Sequence, residues 1–324
     1  MNKKFIVIAV AVLVVVIGGF AAANFFGSQK VVVDTSAQAQ KIKEYANPDA
    51  FITPYQLKEL MDNKKADVVV IGSLNPKKMA APISGSFTMW RPDYSASEGV
   101  YPYGGMRNTD EQMETILSGF GATKKSTIVV YASGSHHDAA RLWWQIKQLG
   151  HKDVRFLDGG LNAWAGAGYP TGDANPSVTK TGYKAPKAGD FKYADIDAVI
   201  AAIGDSDCVI IDTRTPGEND GSKVKGGAFG PGSIPSSVWI NWTNANNEDT
   251  TLKSLSELKT IYGDLVEGKK VISFCQSGVR SAHTTMVLLN VLGAEDVFNY
   301  DGSWIEWSYN HYEQNGKVDI INGN

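Results

Sequence analysis

Leu149-Gly150-His151-Lys152-Asp153-Val154 is answered further along the chain by Leu292-Gly293-Ala294-Glu295-Asp296-Val297. Asp158-Gly159, with Trp164 beyond it, is answered in the same way by Asp301-Gly302, with Trp307 beyond. Each pair stands 143 positions apart, without gaps. A fixed offset of that length marks a duplicated structural unit.

Around these anchors, short β-rich runs alternate with helical stretches. In the first copy the pattern predicts a helix over Tyr55 to Asn63 and strands over Asp67 to Ile71 and Thr127 to Tyr131. An apolar helix then runs from Ala139 to Leu149. The second copy repeats this with a helix at Ile196 to Ile203, strands at 208–212 and Val271 to Phe274, and a helix at Ala282 to Leu292. Such alternation predicts an α/β fold, each copy a mostly parallel sheet with helices on both faces. The copies occupy 49–170 and 191–324. The stretch 171–190, rich in Gly, Pro, Lys and Thr, reads as the linker, and the polar stretch 27–48 as a tether.

A chain of 324 residues suits two domains, and 43% hydrophobic with 20% charged residues is a globular composition. Net charge is −3 with no basic stripe, which argues against nucleic acid as a partner. The first 26 residues differ from the rest. Lys3 and Lys4 precede an uncharged apolar run from Phe5 to Phe26. That is a signal peptide cut near Ala21-Ala22-Ala23, or a membrane anchor through residues 5–26. Either one exports the folded part to the periplasm or another extracytoplasmic space.

The chain's two cysteines, Cys208 and Cys275, form no disulfide framework. Cys208 opens the apolar run Cys208-Val209-Ile210-Ile211 and reads as a core hydrophobe. Cys275 is different. Its counterpart is Ala132, and overlaying Asp67–Ser73 on Cys208–Arg214 sets Asp212 and Arg214 against Ile71 and Ser73. The first copy thus lacks the cysteine, the acid and the arginine together, so chemistry is expected only in the second.

Cys275-Gln276-Ser277-Gly278-Val279-Arg280-Ser281 lies between a buried-type strand and a helix. A nucleophile at the carboxyl end of a parallel strand, facing a helix N-terminus, sits where α/β sheets bind ligands. A free thiol titrates near about 8.5, and bringing it to roughly 6.5 takes about 2.7 kcal/mol. A helix end supplies about 0.3–1 kcal/mol, so loop amides curled by Gly278 and the charge of Arg280 must supply the rest. A buried structural cysteine before a turn would need none of these features.

In these features the chain resembles the tandem rhodanese family, from about Thr53 to Asn315. The loop pattern stands as Cys275 to Arg280, and the upstream Asp-x-Arg with its following acid as Asp212-Thr213-Arg214 and Glu218. Gly232-Ser233-Ile234-Pro235 is similar to the family's Gly-His-Ile-Pro turn. The Asp-Gly-Gly-x-x-x-Trp ending recurs at Asp158 to Trp164 and at Asp301 to Trp307. The resemblance implies an inactive first domain and a catalytic second one that moves sulfane sulfur without a cofactor or metal. A donor such as thiosulfate or 3-mercaptopyruvate would load Cys275 as a persulfide, and cyanide, a thiol or a protein acceptor would take the sulfur; a protein reductant is a further partner to expect. Arg280 would stabilise the sulfur anion with the loop residues Gln276, Ser277, Gly278, Val279 and Ser281. Arg214 would meet an anionic donor, or brace the loop through Glu218, with Asp212 in support.

Ser277 makes the loop more like that of mercaptopyruvate-type enzymes than of thiosulfate-type ones, but other positions depart from the mercaptopyruvate class. Ser277 stands where thiosulfate-type enzymes carry lysine, and Pro82-Ile83-Ser84-Gly85 lacks the histidine that mercaptopyruvate-type enzymes use. Glu218-Asn219 stands where those carry a second arginine, with Lys223 and Lys225 only loosely placed beyond it. His136, His137 and Asp138 read as surface or loop-bracing residues, not a metal site. Arg141, Trp143 and Trp144 read as core or inter-domain packing. One or two of Trp239, Trp242, Trp304 and Trp307 are expected at the pocket mouth, with Trp90 to Tyr94 as a lip. Two other functions compete: a cysteine-loop phosphatase, whose loops usually have one more residue before the arginine, and a non-catalytic sulfur carrier or docking module.

Overall fold

The computed structural model describes residues 34–321 except Lys64, Met79, Ser135, Lys187, Ala188 and Asp190. The expected leader over 1–26 lies outside the described residues. Among the described residues no helix is long and apolar enough to cross a membrane.

The chain enters through a short helix α1 (Ala37–Lys43), capped by the Ser36 hydroxyl. The first copy then runs β1 (Phe51–Ile52), α2 (Pro54–Asp62), β2 (Val68–Ser73), β3 (Phe87–Met89), α3 (Asp110–Gly119), β4 (Thr127–Ala132), α4 (His136–Gln148), β5 (Val154–Leu157) and α5 (Gly160–Gly166). The second repeats it as β6 (Tyr193–Ala194), α6 (Ile196–Ala202), β7 (Cys208–Asp212), α7 (Pro216–Asn219), β8 (Ser237–Trp239), α8 (Leu255–Val266), β9 (Lys270–Phe274), α9 (Val279–Val287), β10 (Val297–Tyr300) and α10 (Ser303–Tyr312). Each copy forms a five-stranded sheet, ordered β1-β5-β4-β2-β3 and β6-β10-β9-β7-β8. Every pairing within them is parallel. Apolar runs such as Val68-Val69-Val70-Ile71 and Val271-Ile272 fill the central strands because both faces are covered.

One buried apolar cluster lies on the outer face of each sheet, around Leu57, Val129 and Trp164 and around Val199, Ile272 and Trp307. A third is shared: Trp143, Trp144 and Ile146 of α4 join Met286, Val287 and Leu288 of the second half in a single core. The two halves therefore meet through a shared apolar core and not only through the linker. The segment after Pro170 crosses the first half as a strap. Gly172 N–H donates to the Pro82 carbonyl, Asn175 bonds Thr88, and the Ala185 N–H meets Glu114.

Several local expectations change. The register of β2 on β4 and β7 on β9 sets Cys208 against Val68, Asp212 against Gly72 and Arg214 against Leu74. The sequence overlay was one residue out, because a run of like apolar residues carries no register of its own. Gly72 leaves room for Tyr131, whose ring would lie 2.5 Å from any Cβ placed there. The Tyr131 hydroxyl bonds Ser86 and the Ile83 N–H, filling the place of an acid–arginine pair. The expected tether over 27–48 is, from Asp34 on, a folded clasp. Ala39, Ile42 and Tyr45 are buried. Lys41 reaches Asp158 and the Leu252 carbonyl, and the Tyr45 hydroxyl the Lys253 carbonyl. Cys208 is half-buried rather than sealed in the core. The last helix before β10 begins three residues early, at Val279, and ends as a π turn over Leu288–Leu292.

Candidate active site

The sheet brings Cys275 to the carboxyl end of the central strand β9, with only 1% of its surface exposed. What shapes the loop is the fate of its carbonyls. Phe274 O accepts from the Thr213 N–H and hydroxyl, each at 2.9 Å. Cys275 O and Gln276 O accept from the N–H groups of Trp304 (2.9 Å) and Ile305 (3.0 Å) at the start of α10. Gly278 O accepts from Asn299 Nδ2 at 3.1 Å. With the carbonyls drawn outward, loop N–H groups turn inward. Gly278 has φ +70°, and a side chain there would meet Arg141 Nη1 and Asp301 O at 2.7 Å, so only glycine fits.

Burial pushes the Cys275 thiol up, but the Arg280 charge, the Ser281 N–H and hydroxyl, and the Ser277 N–H outweigh it and bring the thiol down to about 7. The Ser281 hydroxyl lies 3.6 Å from Sγ. Arg280 is locked by Glu218 in a two-point pair, Nη1–Oε2 2.7 Å and Nη2–Oε1 2.8 Å. Glu218 is itself set by a capping box on α7, taking the Thr215 hydroxyl at 2.6 Å. Burial raises its carboxyl, yet the Arg280 hydrogen bond and charge hold it at about 2.

Arg214 does not brace the loop through Glu218. Its guanidinium closes on Asp212 (Nη2–Oδ2 2.6 Å) and the Gly232 carbonyl (2.9 Å), beneath Trp304 and 1% exposed. The two residues stand two apart on one strand end, and their side chains meet each other before any other partner. Gln276 faces away from the sulfur, its Nε2 3.3 Å from the Lys225 and Gly226 carbonyls, and so pins the 220–232 segment to the loop. Val279 is buried in the first turn of α9. Of the four tryptophans, Trp304 and Trp307 are core residues. Trp239 is 40% exposed and donates to the Arg214 carbonyl. Trp242 packs on His137 and His283. Of the expected lip, Arg91 reaches Asp138 and His137, while Tyr94 is buried.

His136, His137 and Asp138 are not a surface group. His136 is buried against Phe156 and His283. His137 stands at the place of Arg280, 143 residues earlier, and accepts from Arg91 at 3.1 Å. Burial first, then the Arg91 charge, keeps its imidazole neutral. The first copy thus puts a neutral ring where the second puts a cation. No group of three or more His, Cys, Asp or Glu suited to a metal ion occurs among the described residues.

Three residues given no firm site role from the sequence contribute here. The Ser303 hydroxyl takes the Cys275 and Gly278 N–H groups (3.1 and 2.9 Å) and donates to Tyr300 O at 2.7 Å. It does so from φ +51°, where the first copy has Gly160. The only sequence signal was a serine in place of the second glycine of Asp-Gly-Gly. Lys225 lies on the segment that Gln276 ties to the loop, its side chain partly exposed. Burial and then Arg280 lower its ammonium, while Glu218 and Cys275 pull it back up. Arg141, from α4, meets Asp301 at 2.5 Å. A cleft of about 790 Å³ lined by Trp143, Lys147, Arg155, Lys192 and Glu295 contains none of the cysteine loop.

Comparison with known proteins agrees with this geometry. The model of the rhodanese-like domain matches twice, over residues 53–167 and 195–310. A protein of Saccharopolyspora erythraea named "Putative thiosulfate sulfurtransferase" is 37% identical over 205 residues, covering 61% of this chain and 72% of that protein. One of Mycobacterium tuberculosis (strain CDC 1551), with the same name followed by SseA, is 35% identical over 204 residues, covering 61% and 68%. In fold the chain is similar to the wild-type structure of EanB, with a TM-score of 0.73 at 21% identity over 86% of this chain and 70% of that one. The anaerobic ergothioneine biosynthesis enzyme of Chlorobium limicola, solved with trimethyl histidine, gives a TM-score of 0.72 at 21% identity over 86% and 72%. The chain belongs to the rhodanese-like family: two such domains in tandem, of the sulfurtransferase kind, with the cysteine loop in the second.

Proposed function

We propose that this protein moves sulfane sulfur from a small anionic donor, thiosulfate or 3-mercaptopyruvate, to a thiophilic acceptor through a persulfide on Cys275. The observation that carries the reading is a cysteine buried at the carboxyl end of β9, in a loop whose carbonyls are bonded outward, with the Ser281 hydroxyl 3.6 Å from its sulfur. The Arg280 charge and the Ser281 and Ser277 contacts favour the thiolate, which is the attacking form. With thiosulfate, the thiolate attacks the outer sulfur, the S–S bond breaks and sulfite leaves with the electron pair. Cyanide or a thiolate then attacks the outer sulfur of the persulfide, and Cys275 departs as thiolate again. The charge count favours an anionic donor. Asp212 takes up Arg214, and Arg280 is shared between Glu218 and the sulfur, which leaves Lys225, with no ion pair among the described residues, as a cation to meet a donor anion.

An extracytoplasmic place for this activity is supported by Lys3, Lys4 and the apolar run after them. The direct test is intact-mass spectrometry after incubation with thiosulfate and, separately, 3-mercaptopyruvate, with Cys275→Ala alongside. One added sulfur that cyanide removes, absent in the variant, is the expected result. No added mass with either donor would sink the reading.

A further inference from the structure

Arg141 stands on α4 of the half without a cysteine, and its guanidinium crosses into the half that has one. Nη1 lies 2.5 Å from Asp301 Oδ1, with Arg141 1% and Asp301 0% exposed. The same nitrogen is 3.4 Å from Gly278 O, and Nη2 donates to Gly105 O at 3.1 Å. The guanidinium sits 4.9 Å from the Trp144 ring centre, which helps fix it. Gly278 is the left-handed residue of the cysteine loop, between the Ser277 and Ser281 N–H groups that act on the sulfur. Its carbonyl is held by Asn299 and Arg141 and its N–H by Ser303. One of these three holds comes from the other domain.

The duplication provides its own comparison. Asp301 takes the Arg107 N–H from the opposite half at 3.0 Å, and its counterpart Asp158 takes the Leu252 N–H at 2.8 Å. The cations differ. Asp158 is met by Lys41 of α1, and the residue 143 positions after Arg141 is Thr284. Among the described residues, an arginine reaching from the opposite helix to this aspartate is found on the side where the loop carries a nucleophile. A buried ion pair is weak evidence of stability in itself.

We propose that Arg141 is a positioning residue for the reaction at Cys275: the cysteine-free domain holds the Gly278 peptide so that the loop N–H groups converge on the sulfur. Its effect on turnover rests on the sulfur-transfer reading, whereas its effect on the thiolate does not.

The test compares Arg141→Gln and Arg141→Lys with Lys41→Met, which breaks the matching pair on the other side. The pH dependence of iodoacetamide alkylation, mapped to Cys275 in the full chain, reads the thiolate. In Arg141→Gln the midpoint should rise by about one unit, slowing alkylation at pH 6.5 about tenfold. Arg141→Lys should recover part of this, and Lys41→Met should melt lower with an unchanged midpoint. An unmoved midpoint in Arg141→Gln, with melting lowered as in Lys41→Met, overturns the proposal. If Arg141→Gln does not fold, Arg141→Lys decides, and an unmoved midpoint there overturns it too. A shifted midpoint in a protein whose parent takes up no sulfur supports the positioning role and sinks sulfur transfer instead.

Discussion

Arg280 and Glu218, 62 positions apart, close on each other through two hydrogen bonds of 2.7 and 2.8 Å beside the Cys275 sulfur. The pair fixes where the positive charge sits and neutralises it at the same time. Arg280→Gln should raise the Cys275 titration above about 7 and strand a buried carboxylate. Breaking such a pair costs about 3–5 kcal/mol. Urea unfolding and alkylation against pH, run on one preparation, measure both effects; an unchanged midpoint would remove Arg280 from thiolate stabilisation.

The histidines of the seam set an acid limit on stability. Burial holds His136 at about 4, against the ordinary 6.5, and holds His137 and His283 well below that value. The unfolded chain takes up protons on these rings below about pH 6.5 while the folded one does not. Stability should therefore be full above about pH 6.5 and fall as pH drops toward about 4, by up to about 1.4 kcal/mol per pH unit for each ring. Denaturant midpoints at pH 7.5, 5.5 and 4.5 read this directly, and His283→Gln should flatten the slope.

Much of this was legible in the sequence, for reasons that differ by residue. The duplication showed because Asp158-Gly159 and Asp301-Gly302, with their tryptophans, are held by turn geometry and core packing that leave few substitutes. The cysteine loop showed because Gly278 and Arg280 are needed at fixed distances along one short segment. What joins distant segments did not show. Glu218 was visible as an acid but not as the partner of Arg280, and Arg141 looked like packing because its helix is apolar around it. The burial of Ala39, Ile42 and Tyr45 follows a helical spacing too short to stand out in a polar stretch.

Ser303 carries a conformational cost and a gain that two substitutions separate. A non-glycine residue at φ +51° costs of order 1–3 kcal/mol. Ser303→Gly relieves that cost but releases the Cys275 and Gly278 N–H groups, so melting should change little while sulfur loading slows. Ser303→Ala keeps the cost and loses both bonds, and should be less stable by about 1–3 kcal/mol. Equal loading rates in all three proteins would show the hydroxyl to be structural only.

Lys225→Gln should weaken the use of dianionic thiosulfate several-fold and that of monoanionic 3-mercaptopyruvate less, through KM with kcat nearly kept. Lys225→Arg should restore most of it. Added salt should narrow the gap between parent and variant, because an exposed charge is screened. Equal losses for both donors would assign Lys225 to the fold of the 220–232 segment.

Ala132→Cys should not awaken the first copy. Its new thiol would face neutral His137 where Cys275 faces Arg280, so the persulfide count by mass should stay at one.

The clasp formed by α1 sets a sequence of events in time. Lys41 and Leu252 are 211 positions apart and Tyr45 and Lys253 are 208, yet they are bonded in the finished protein. A helix of seven residues has too few turns to persist in water without a surface to lie on. A ribosome makes α1 about 200 residues before Leu252 and Lys253. The first of the described helices to be made therefore waits undocked until the chain has reached Lys253.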